Sequence, residues 1–198
     1  MFASNNKEKI KELQSSIGSR LKIISLKEAG IEIDIPEPFE TIKENASEKS
    51  RVIMELTGKN CFSEDTGLEV DAVNGSPGVN SARYAGDQRD PAMNNQKLLT
   101  EMSGSVDRRA RFKTVISLRL NGMEYFFAGI AEGTIEHQPT GTEGFGYDPI
   151  FRPLGANRTF AQMCRDEKAQ YSHRRKAGDK LVLFLNKVNE SPLPASEK

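Results

Sequence analysis

Apolar residues follow a helical period in four segments of the chain, 7–17, 46–56, 92–102 and 175–188. In the first segment they recur at spacings of three and four from Ile10 to Ile17, which produces one apolar face. In the second segment Val52, Ile53 and Leu56 are expected to point inward. The pattern therefore predicts four helices.

Strand-like runs lie between these helices, at 21–26, 61–63, 68–73, 111–120 and 123–135. The last two runs are joined by Asn121-Gly122, which favours a tight hairpin because both turn positions need a positive φ. Early alternation of helices and strands, followed by a long hairpin, predicts an α/β fold with a mixed sheet. We expect residues 1–190 to form one domain and residues 191–198 to be a flexible tail.

The composition restricts the classes of partner. Lys plus Arg is 28 and Asp plus Glu is 28, so the formal net charge is zero. A neutral chain has no overall field that attracts nucleic acid or an anionic membrane, and we expect neither partner. The longest apolar runs, such as 181–185, are far shorter than the roughly 20 residues that a membrane span needs.

The start of the chain and its cysteines indicate where the protein works. No charged segment followed by an apolar stretch opens the chain, so we expect no signal peptide. Cys61 and Cys164 are far apart and form no CxxC pair. A reduced, cytoplasmic setting is the simplest interpretation.

The first candidate binding segment lies where a short apolar stub turns into the first helix. A helix N-terminus presents unpaired N–H groups and a partial positive charge, which suits a phosphate. Ser4 and Asn6 add side-chain donors, and Lys9 adds a full charge. An ordinary N-cap with solvated lysines has the same pattern, so both interpretations stay open. The candidate residues are Ser4, Asn5, Asn6, Lys7, Glu8 and Lys9.

Two adjacent carboxylates, Glu64 and Asp65, lie between a buried-looking strand and a turn at Gly67. Mg²⁺ takes oxygen ligands and keeps several waters, so one or two carboxylates plus substrate phosphates suffice to hold it. The alternative is a polar turn that joins two strands. That alternative is weakened because two acids directly behind an apolar strand end repel each other, which raises one pKa.

Three cations are candidates for the same site: Lys49 in the second helix, Arg83 after the turn at Pro77-Gly78, and Lys168. A solvated surface is the default position for each of them. Arg83 differs from the others because it lies in a segment flanked by turns and not on a helix face.

Two further candidate segments are Gly144-Phe145-Gly146-Tyr147-Asp148-Pro149 and Ser172-His173-Arg174. Two glycines allow the backbone to approach a ligand closely. Phe145 and Tyr147 offer flat faces for stacking a base, with Asp148 as an acceptor beside them. The alternative is a tight turn into a strand with both rings in the core. His173 opens the last helix, where a lone histidine is usually structural or solvated.

Taken together and in this order, the motifs resemble those of the inosine/xanthosine triphosphate pyrophosphatase family, which hydrolyses non-canonical purine nucleoside triphosphates. The resemblance extends from Ser4 to about Val188 and is specific, because six separate blocks occur in the expected order. The blocks are Ser4-x-Asn6-x-x-Lys9, Glu44-Asn45-Ala46-x-x-Lys49, Glu64-Asp65-Thr66-Gly67-Leu68, Pro77-Gly78 with Arg83-Tyr84, Phe145-Gly146-Tyr147-Asp148-Pro149 and Ser172-His173-Arg174.

The resemblance implies a hydrolytic site at the acidic block. Asp65 would be the catalytic carboxylate, which orients or deprotonates the attacking water. Together with Glu64 and Glu37, it would hold Mg²⁺. Thr66 would touch the substrate. The implied substrates are ITP, dITP and XTP, each cleaved to the monophosphate and pyrophosphate.

The resemblance also implies how the substrate is held. Residues 4–9, with Lys49 and Arg83, would bind the triphosphate. A 6-oxo purine presents an acceptor at O6 and a donor at N1, the reverse of adenine. His173 or a backbone N–H facing O6, with Asp148 accepting from N1–H, would therefore reject adenine. The residues that would enclose the base are Phe145, Gly146, Tyr147, Asp148, Lys168, His173 and Arg174.

Family members fold as an elongated mixed α/β structure of two lobes with a deep cleft, and they are usually homodimers. The chain departs from the family pattern at its start, where only three residues precede Ser4 and the family has a longer strand. It departs again near its end, where Arg175 follows the last block and Gly178 lies inside the closing helix.

Three other functions stay open. The first is a non-catalytic nucleotide-binding domain on the same scaffold, although Asp65, Lys9 and Lys49 are all present. The second is an enzyme that acts on modified pyrimidine triphosphates, which the base-facing residues disfavour. The third is a nucleic-acid-binding module, which zero net charge makes a poor match.

Overall fold

The computed structural model describes residues 1–18 and 22–190. Within these residues the chain forms five helices and five strands. The helices are α1 (Lys7–Ile17), α2 (Ile42–Thr57), α3 (Pro91–Glu101), α4 (Arg165–Tyr171) and α5 (His173–Glu190). The strands are β1 (Cys61–Val70), β2 (Pro77–Gly78), β3 (Arg109–Leu120), β4 (Met123–Ile135) and β5 (Phe151–Pro153).

The five strands form one sheet in the order β2-β1-β3-β4-β5, which confirms the α/β class. Strand β1 pairs antiparallel with β2, where Leu68 lies opposite Gly78, and β4 pairs antiparallel with β5. Strands β3 and β4 are joined by the predicted turn, in which Asn121 has a φ of 52° and Gly122 a φ of 80°. The hairpin prediction is therefore confirmed.

The parallel element of the predicted mixed sheet is small. Phe2 and Phe62 form an isolated parallel bridge, and their rings stack with centroids 4.8 Å apart. The N–H of Ala3 donates to the Phe62 carbonyl, and the N–H of Phe62 donates to the Met1 carbonyl. The short stub before α1 is thus attached to β1 by backbone hydrogen bonds.

Helix α2 differs from its prediction at its start and matches it within one residue at its end. It begins four residues earlier, because the Thr41 side chain accepts a hydrogen bond from the Glu44 N–H and caps it. Gly58 ends it in the left-handed conformation. Ile53 is buried as predicted, but Leu56 is 58% exposed, since the helix extends one turn beyond its last buried residue.

Strand β1 corrects the prediction of two short strands around an acidic turn. Residues Cys61–Val70 form one continuous strand, so Glu64 and Asp65 lie within it and no turn separates them from Leu68. Both carboxylates are buried, and buried cations pair with each of them. A buried strand normally carries apolar residues. These two carboxylates are tolerated there because each is paired with a cation.

The strand predicted at 21–26 is wrong over its described residues, since 22–26 are not in a strand, and Leu21 lies outside the described residues. The described segment has only two backbone hydrogen bonds with residues 2–4, from the Phe2 N–H to the Ile24 carbonyl and from the Leu26 N–H to the Ser4 carbonyl, and two of its other N–H groups donate to side chains. The N–H of Ile23 donates to Gln14 Oε1, and the N–H of Ser25 donates to Glu28 Oε2, each at 2.9 Å.

Helix α3 matches its prediction within one residue and α1 matches it fully. Helix α4 was not predicted, because its seven residues carry no helical period of apolar side chains. Helix α5 begins at His173, two residues before the predicted start, and continues through Gly178. The predicted tail at 191–198 lies outside the described residues.

Two compact units make up the described chain. The first contains Met1–Asp65, Thr114–Gly129 and the residues from Arg174 onward, and the second contains Thr66–Lys113 and Ile130–His173. Each unit has its own apolar core. Core residues of the first include Phe2, Leu13, Ile116 and Leu181, and those of the second include Leu98, Phe112, Phe151 and Phe160. The cleft between two lobes stays a prediction.

Across residues 1–18 and 22–190, no helix has both the length and the apolar character needed to cross a bilayer.

Candidate active site

The start of α1 is an N-cap built from its own side chains. Asn6 Oδ1 accepts from the N–H groups of Glu8 and Lys9, both at 3.1 Å. Ser4 Oγ accepts from the Asn6 N–H at 3.1 Å. Asn5 Oδ1 accepts from the Lys27 N–H at 2.8 Å. The cap interpretation is confirmed, and phosphate binding by this segment stays a prediction.

The charged side chains of the same helix face different surroundings. Lys7 is exposed, and Glu8 pairs with Lys11 at 2.7 Å on the exposed side. Lys9 reaches inward, and its Nζ lies 3.2 Å from Glu64 Oε1. Only Lys9 of these four therefore directs its charge toward β1.

A buried cation joins α2 to the catalytic candidate on β1. Lys49 Nζ donates to Asp65 Oδ1 at 2.8 Å and to Glu37 Oε1 at 2.7 Å. Lys49 and Asp65 are both buried, and Glu37 is half-buried. Lys49 therefore joins carboxylates from two distant parts of the sequence within the first unit.

The same cluster shifts the pKa values of its members. Burial raises the pKa of the Asp65 carboxyl above its ordinary value, and the charges of Lys49 and Lys9 oppose that rise. Burial alone would lower the pKa of Lys49, but the carboxylates of Asp65 and Glu37 outweigh it and raise that pKa. Asp65 therefore takes up a proton more readily than an exposed aspartate, as a general base requires.

Glu64 belongs to a second ionic cluster. Arg174 Nε and Nη2 donate to the two carboxylate oxygens of Glu64 at 2.8 and 3.1 Å. Arg174 also pairs with Glu12 on α1. Burial disfavours the charged guanidinium, but the carboxylates of Glu64 and Glu12 outweigh it and raise the pKa of Arg174. Together with the half-buried Lys9, these residues form a network of two cations and two anions around the buried pair of Glu64 and Arg174.

The two neighbouring carboxylates of β1 therefore serve different clusters. Successive side chains of a strand point to opposite faces, and the partners agree with this rule. Asp65 contacts Lys49 of α2, whereas Glu64 contacts Arg174 of α5. Binding of one metal ion by Glu64 and Asp65 stays a prediction, and their partners in this structure are cations of different helices. Among the described residues, no group of three or more His, Cys, Asp or Glu side chains is placed to hold a metal ion by itself.

Arg174 was expected beside the base. Its side chain is 2% exposed and is enclosed by Glu64 and Glu12, within the first unit. Contact between Arg174 and a base stays a prediction, and its observed partners are carboxylates.

The second unit contains the glycine-rich segment. Asp148 Oδ2 accepts from the Phe145 N–H at 2.8 Å and from Lys168 Nζ at 2.6 Å. Gly144 has a φ of 75°, and a Cβ at that position would lie 2.0 Å from Asp148 Oδ2. Glycine is therefore required there by both the backbone conformation and the space that the carboxylate fills.

Aromatic rings surround the Lys168 ammonium. Its Nζ lies 5.0 Å from the centroid of Phe145 and 5.3 Å from that of Phe160. The ring of His173 stacks on Phe112 with centroids 4.6 Å apart and an angle of 13°. Lys168, Phe145 and His173, which the sequence analysis grouped around a base, thus all lie in the second unit.

Tyr147 differs from the stacking role expected of it. Its ring is 4% exposed and belongs to the core of the second unit, and its hydroxyl donates to the Ser81 carbonyl at 2.9 Å. Burial raises the pKa of this hydroxyl. Phe145, which is half-buried, is the one ring of the pair with an accessible face.

The remaining candidates lie in the second unit. Thr66 follows Asp65 in β1 and is half-buried. Arg83 ends a short 3₁₀ turn, Ser81–Arg83, and is half-buried as well. Their contacts with a substrate stay predictions.

Sequence reasoning missed three residues that hold the candidates in place. Glu12 lies next to the buried Leu13 on α1, so the position of an acid beside an apolar face was a usable signal. Phe112 and Phe160 support His173 and Lys168, but nothing in their local sequence distinguishes them from other core residues.

Known proteins match this chain over almost its whole length. Residues 1–184 match the Ham1 family. A dITP/XTP pyrophosphatase of Flavobacterium psychrophilum is 50% identical over 185 residues, covering 93% of this chain and 97% of the relative. A dITP/XTP pyrophosphatase of Staphylococcus aureus is 40% identical and covers 93% of this chain and 95% of the relative.

Two solved structures also match this chain over almost its whole length. The Ham1 protein of Staphylococcus aureus superimposes with a TM-score of 0.86 at 38% identity, covering 94% of this chain and 97% of that one. A HAM1 protein from Coxiella burnetii gives the same TM-score at 36% identity, with coverage of 94% and 97%. The chain belongs to the Ham1 family.

Proposed function

We propose that the protein hydrolyses the non-canonical purine nucleoside triphosphates ITP, dITP and XTP to the monophosphate and pyrophosphate. The observation that carries the proposal is the buried contact of Lys49 with Asp65 and Glu37. It supplies a carboxylate with a raised pKa beside a fixed cation in a member of the Ham1 family. The relatives named dITP/XTP pyrophosphatase support the choice of substrate.

Asp65 is the general base of the proposed reaction. Its carboxylate accepts a proton from the attacking water as the water oxygen bonds to the α-phosphorus. The bond from that phosphorus to the bridging oxygen breaks, and pyrophosphate leaves with the bonding electron pair. The raised pKa of Asp65 brings its basicity closer to what this proton transfer needs.

Glu37 and Asp65 are the proposed ligands of Mg²⁺. Both offer carboxylate oxygens, which Mg²⁺ prefers, and both already face a positive charge, the ammonium of Lys49. When bound, Mg²⁺ neutralises phosphate charge and polarises the reacting phosphoryl group. Glu64 is proposed as a further ligand, and Arg174 and Lys9 pair with its oxygens in this structure.

Cations of the first unit bind the triphosphate in this proposal. Lys49 and Lys9 offset the charge that accumulates on the leaving pyrophosphate, which is the main electrostatic demand of the reaction. Ser4 and Asn6 add side-chain donors at the start of α1. Arg83 and Thr66 are proposed as further contacts with the substrate.

The second unit reads the base in this proposal. Phe145 offers a stacking face, and Lys168 and Asp148 form a buried pair beside it at 2.6 Å. His173, fixed by stacking on Phe112, is a candidate donor to O6 of a 6-oxo purine. Adenine presents a donor at that edge, and leaving buried groups unpaired costs more than a simple steric difference.

A homodimer in the cytoplasm is proposed as the working form. Cys61 and Cys164 are both free, which is compatible with a reducing compartment. Light scattering coupled to gel filtration tests the dimer, and a monomer at micromolar concentration would reject it.

The deciding experiment measures pyrophosphate release with Mg²⁺ from inosine, xanthosine, guanosine and adenosine triphosphates at one low concentration. We expect fast release from the first two and about a hundredfold slower release from the others. Chelation by EDTA should abolish release in every case. Nucleotide binding without pyrophosphate release would reject the enzyme and favour a non-catalytic nucleotide-binding domain.

A further inference from the structure

The ammonium of Lys49 lies between two carboxylates that are proposed ligands of Mg²⁺. Its Nζ is 2.7 Å from Glu37 Oε1 and 2.8 Å from Asp65 Oδ1. The side chains of Lys49 and Asp65 are each 9% exposed and that of Glu37 is 26% exposed, so the cluster reaches solvent on the side of Glu37. One ammonium thus bridges two carboxylates in the way that a shared metal ion would.

Lys49 and Mg²⁺ compete for these oxygens. Mg²⁺ takes oxygen ligands at about 2.0–2.1 Å in a nearly octahedral arrangement. An ammonium within hydrogen-bond distance of the same oxygens repels a divalent cation, and the repulsion is strong where little water is present. A metal ion that joins Glu37 to Asp65 therefore requires the ammonium of Lys49 to move away.

The charges of the cluster favour an exchange over a simple addition. The two carboxylates and Lys49 together carry one more negative charge than positive. Replacement of the ammonium by Mg²⁺ makes that sum zero, and the displaced ammonium then needs another anion. The phosphates of a nucleoside triphosphate supply it. A lysine side chain is flexible and carries a compact charge, so it can turn from a carboxylate to a phosphate while α2 stays in place.

The further proposed ligand, Glu64, is held in the same way. Its Oε1 lies 3.2 Å from Lys9 Nζ, and its two oxygens accept from Arg174. Lys9, like Lys49, is also a proposed contact of the triphosphate. Each carboxylate of the proposed ligand set is therefore paired with a cation of the protein, and two of these cations have a second use for their charge.

We infer that Lys49 is an exchangeable counter-ion, which keeps Glu37 and Asp65 from binding Mg²⁺ tightly until phosphate groups draw its ammonium away. The inference rests on the proposed function and deepens it, because it makes metal binding depend on the nucleotide. The free protein then binds Mg²⁺ weakly and takes up the metal together with the triphosphate.

The test uses Lys49→Gln, which removes the charge and keeps a side-chain donor, and Lys49→Met, which removes both. Calorimetry measures the Kd of Mg²⁺ for the nucleotide-free protein and the Kd of inorganic pyrophosphate in EDTA. In both variants we expect Mg²⁺ to bind at least about tenfold more tightly, because the repulsion is lost. Pyrophosphate should bind at least about tenfold more weakly, because a cation that holds it is lost. Lys43→Met, at an exposed lysine on α2, should change neither Kd.

Opposite changes for the two ions separate this exchange from damage to the fold, which would weaken the binding of both. An unchanged Kd for Mg²⁺ in the two variants, or weaker binding of both ions, would overturn the inference. In the wild type, pyrophosphate in EDTA should shift the nitrogen NMR signal of the Lys49 ammonium, and a fixed signal would also overturn it. A wild type that releases no pyrophosphate from ITP would overturn the proposed function, whereas opposite changes in the two Kd values would still support the exchange.

Discussion

The ammonium of Lys49 lies 2.8 Å from Asp65 Oδ1, and both side chains are only 9% exposed. Because both side chains are largely withdrawn from water, each charge depends on the other for its stabilisation. Lys49 lies on α2 and Asp65 on β1, so the packing of α2 on the sheet sets the environment of the proposed catalytic base.

Asp65→Asn should lower turnover of ITP by at least roughly 10²-fold while the fold is retained, because an amide cannot accept the proton of the attacking water. Steady-state pyrophosphate release measures the effect, and circular dichroism checks the fold. Glu69→Gln is the matched control, since Glu69 lies on the same strand and pairs with Arg111 at 2.7 Å. Near-normal turnover in Asp65→Asn would refute the assigned role.

Lys49→Met should destabilise the metal-free protein by about 3 kcal/mol, because it leaves the carboxylates of Asp65 and Glu37 close together without their cation. Urea unfolding in EDTA measures this loss. Added Mg²⁺ should restore part of it if both carboxylates are ligands. Lys43→Met, an exposed lysine on the same helix, is the control and should change little. Equal losses in the two variants would show that the contacts of Lys49 with Asp65 and Glu37 do not stabilise the fold.

Arg174→Met should cost about 3–5 kcal/mol of unfolding free energy, since Glu64 would keep its burial and lose its main partner. Arg175→Met is the neighbouring control, because Arg175 forms an exposed pair with Asp179 on the same helix. That control should change stability by no more than about 0.5 kcal/mol. A well-folded, fully stable Arg174→Met protein would show that the buried network is dispensable.

His173→Ala should reduce the discrimination between ITP and ATP more than it reduces the rate with ITP, because His173 is a proposed donor to O6. The kcat/KM ratio for the two substrates measures this. His137→Ala, which changes the other and exposed histidine, should leave the ratio unchanged. If His173→Ala slows both substrates equally, its role is structural support through Phe112 and not base recognition.

The unfolding free energy should depend on pH through the carboxyl group of Asp65. Burial raises its pKa in the folded protein, so its protonated form favours folding at low pH. That contribution is lost as the pH rises through the raised pKa. In EDTA, the unfolding free energy of the wild type should therefore fall relative to Asp65→Asn as the pH rises above the ordinary aspartate range. The opposite slope would mean that the lysine charges outweigh burial.

The elements that the sequence predicted correctly are those that depend on residues close together in the chain. The spacing from Ile10 to Ile17 specified α1, and Asn121-Gly122 specified the β3–β4 turn, because each depends on residues within one or two turns of chain. The ordered motifs likewise identified the acidic, cationic and glycine-rich segments of the candidate site before any contact between them was known.

Only the tertiary structure decided which of these residues touch. Asp65 meets its cation 16 residues away on α2, and Glu64 meets Arg174 110 residues away on α5. These partners allow two adjacent carboxylates to remain buried in one strand, where the sequence alone predicted a turn. The physical reason is that a buried charge is tolerated only beside an opposite charge, and the sequence does not state which distant residue will supply it.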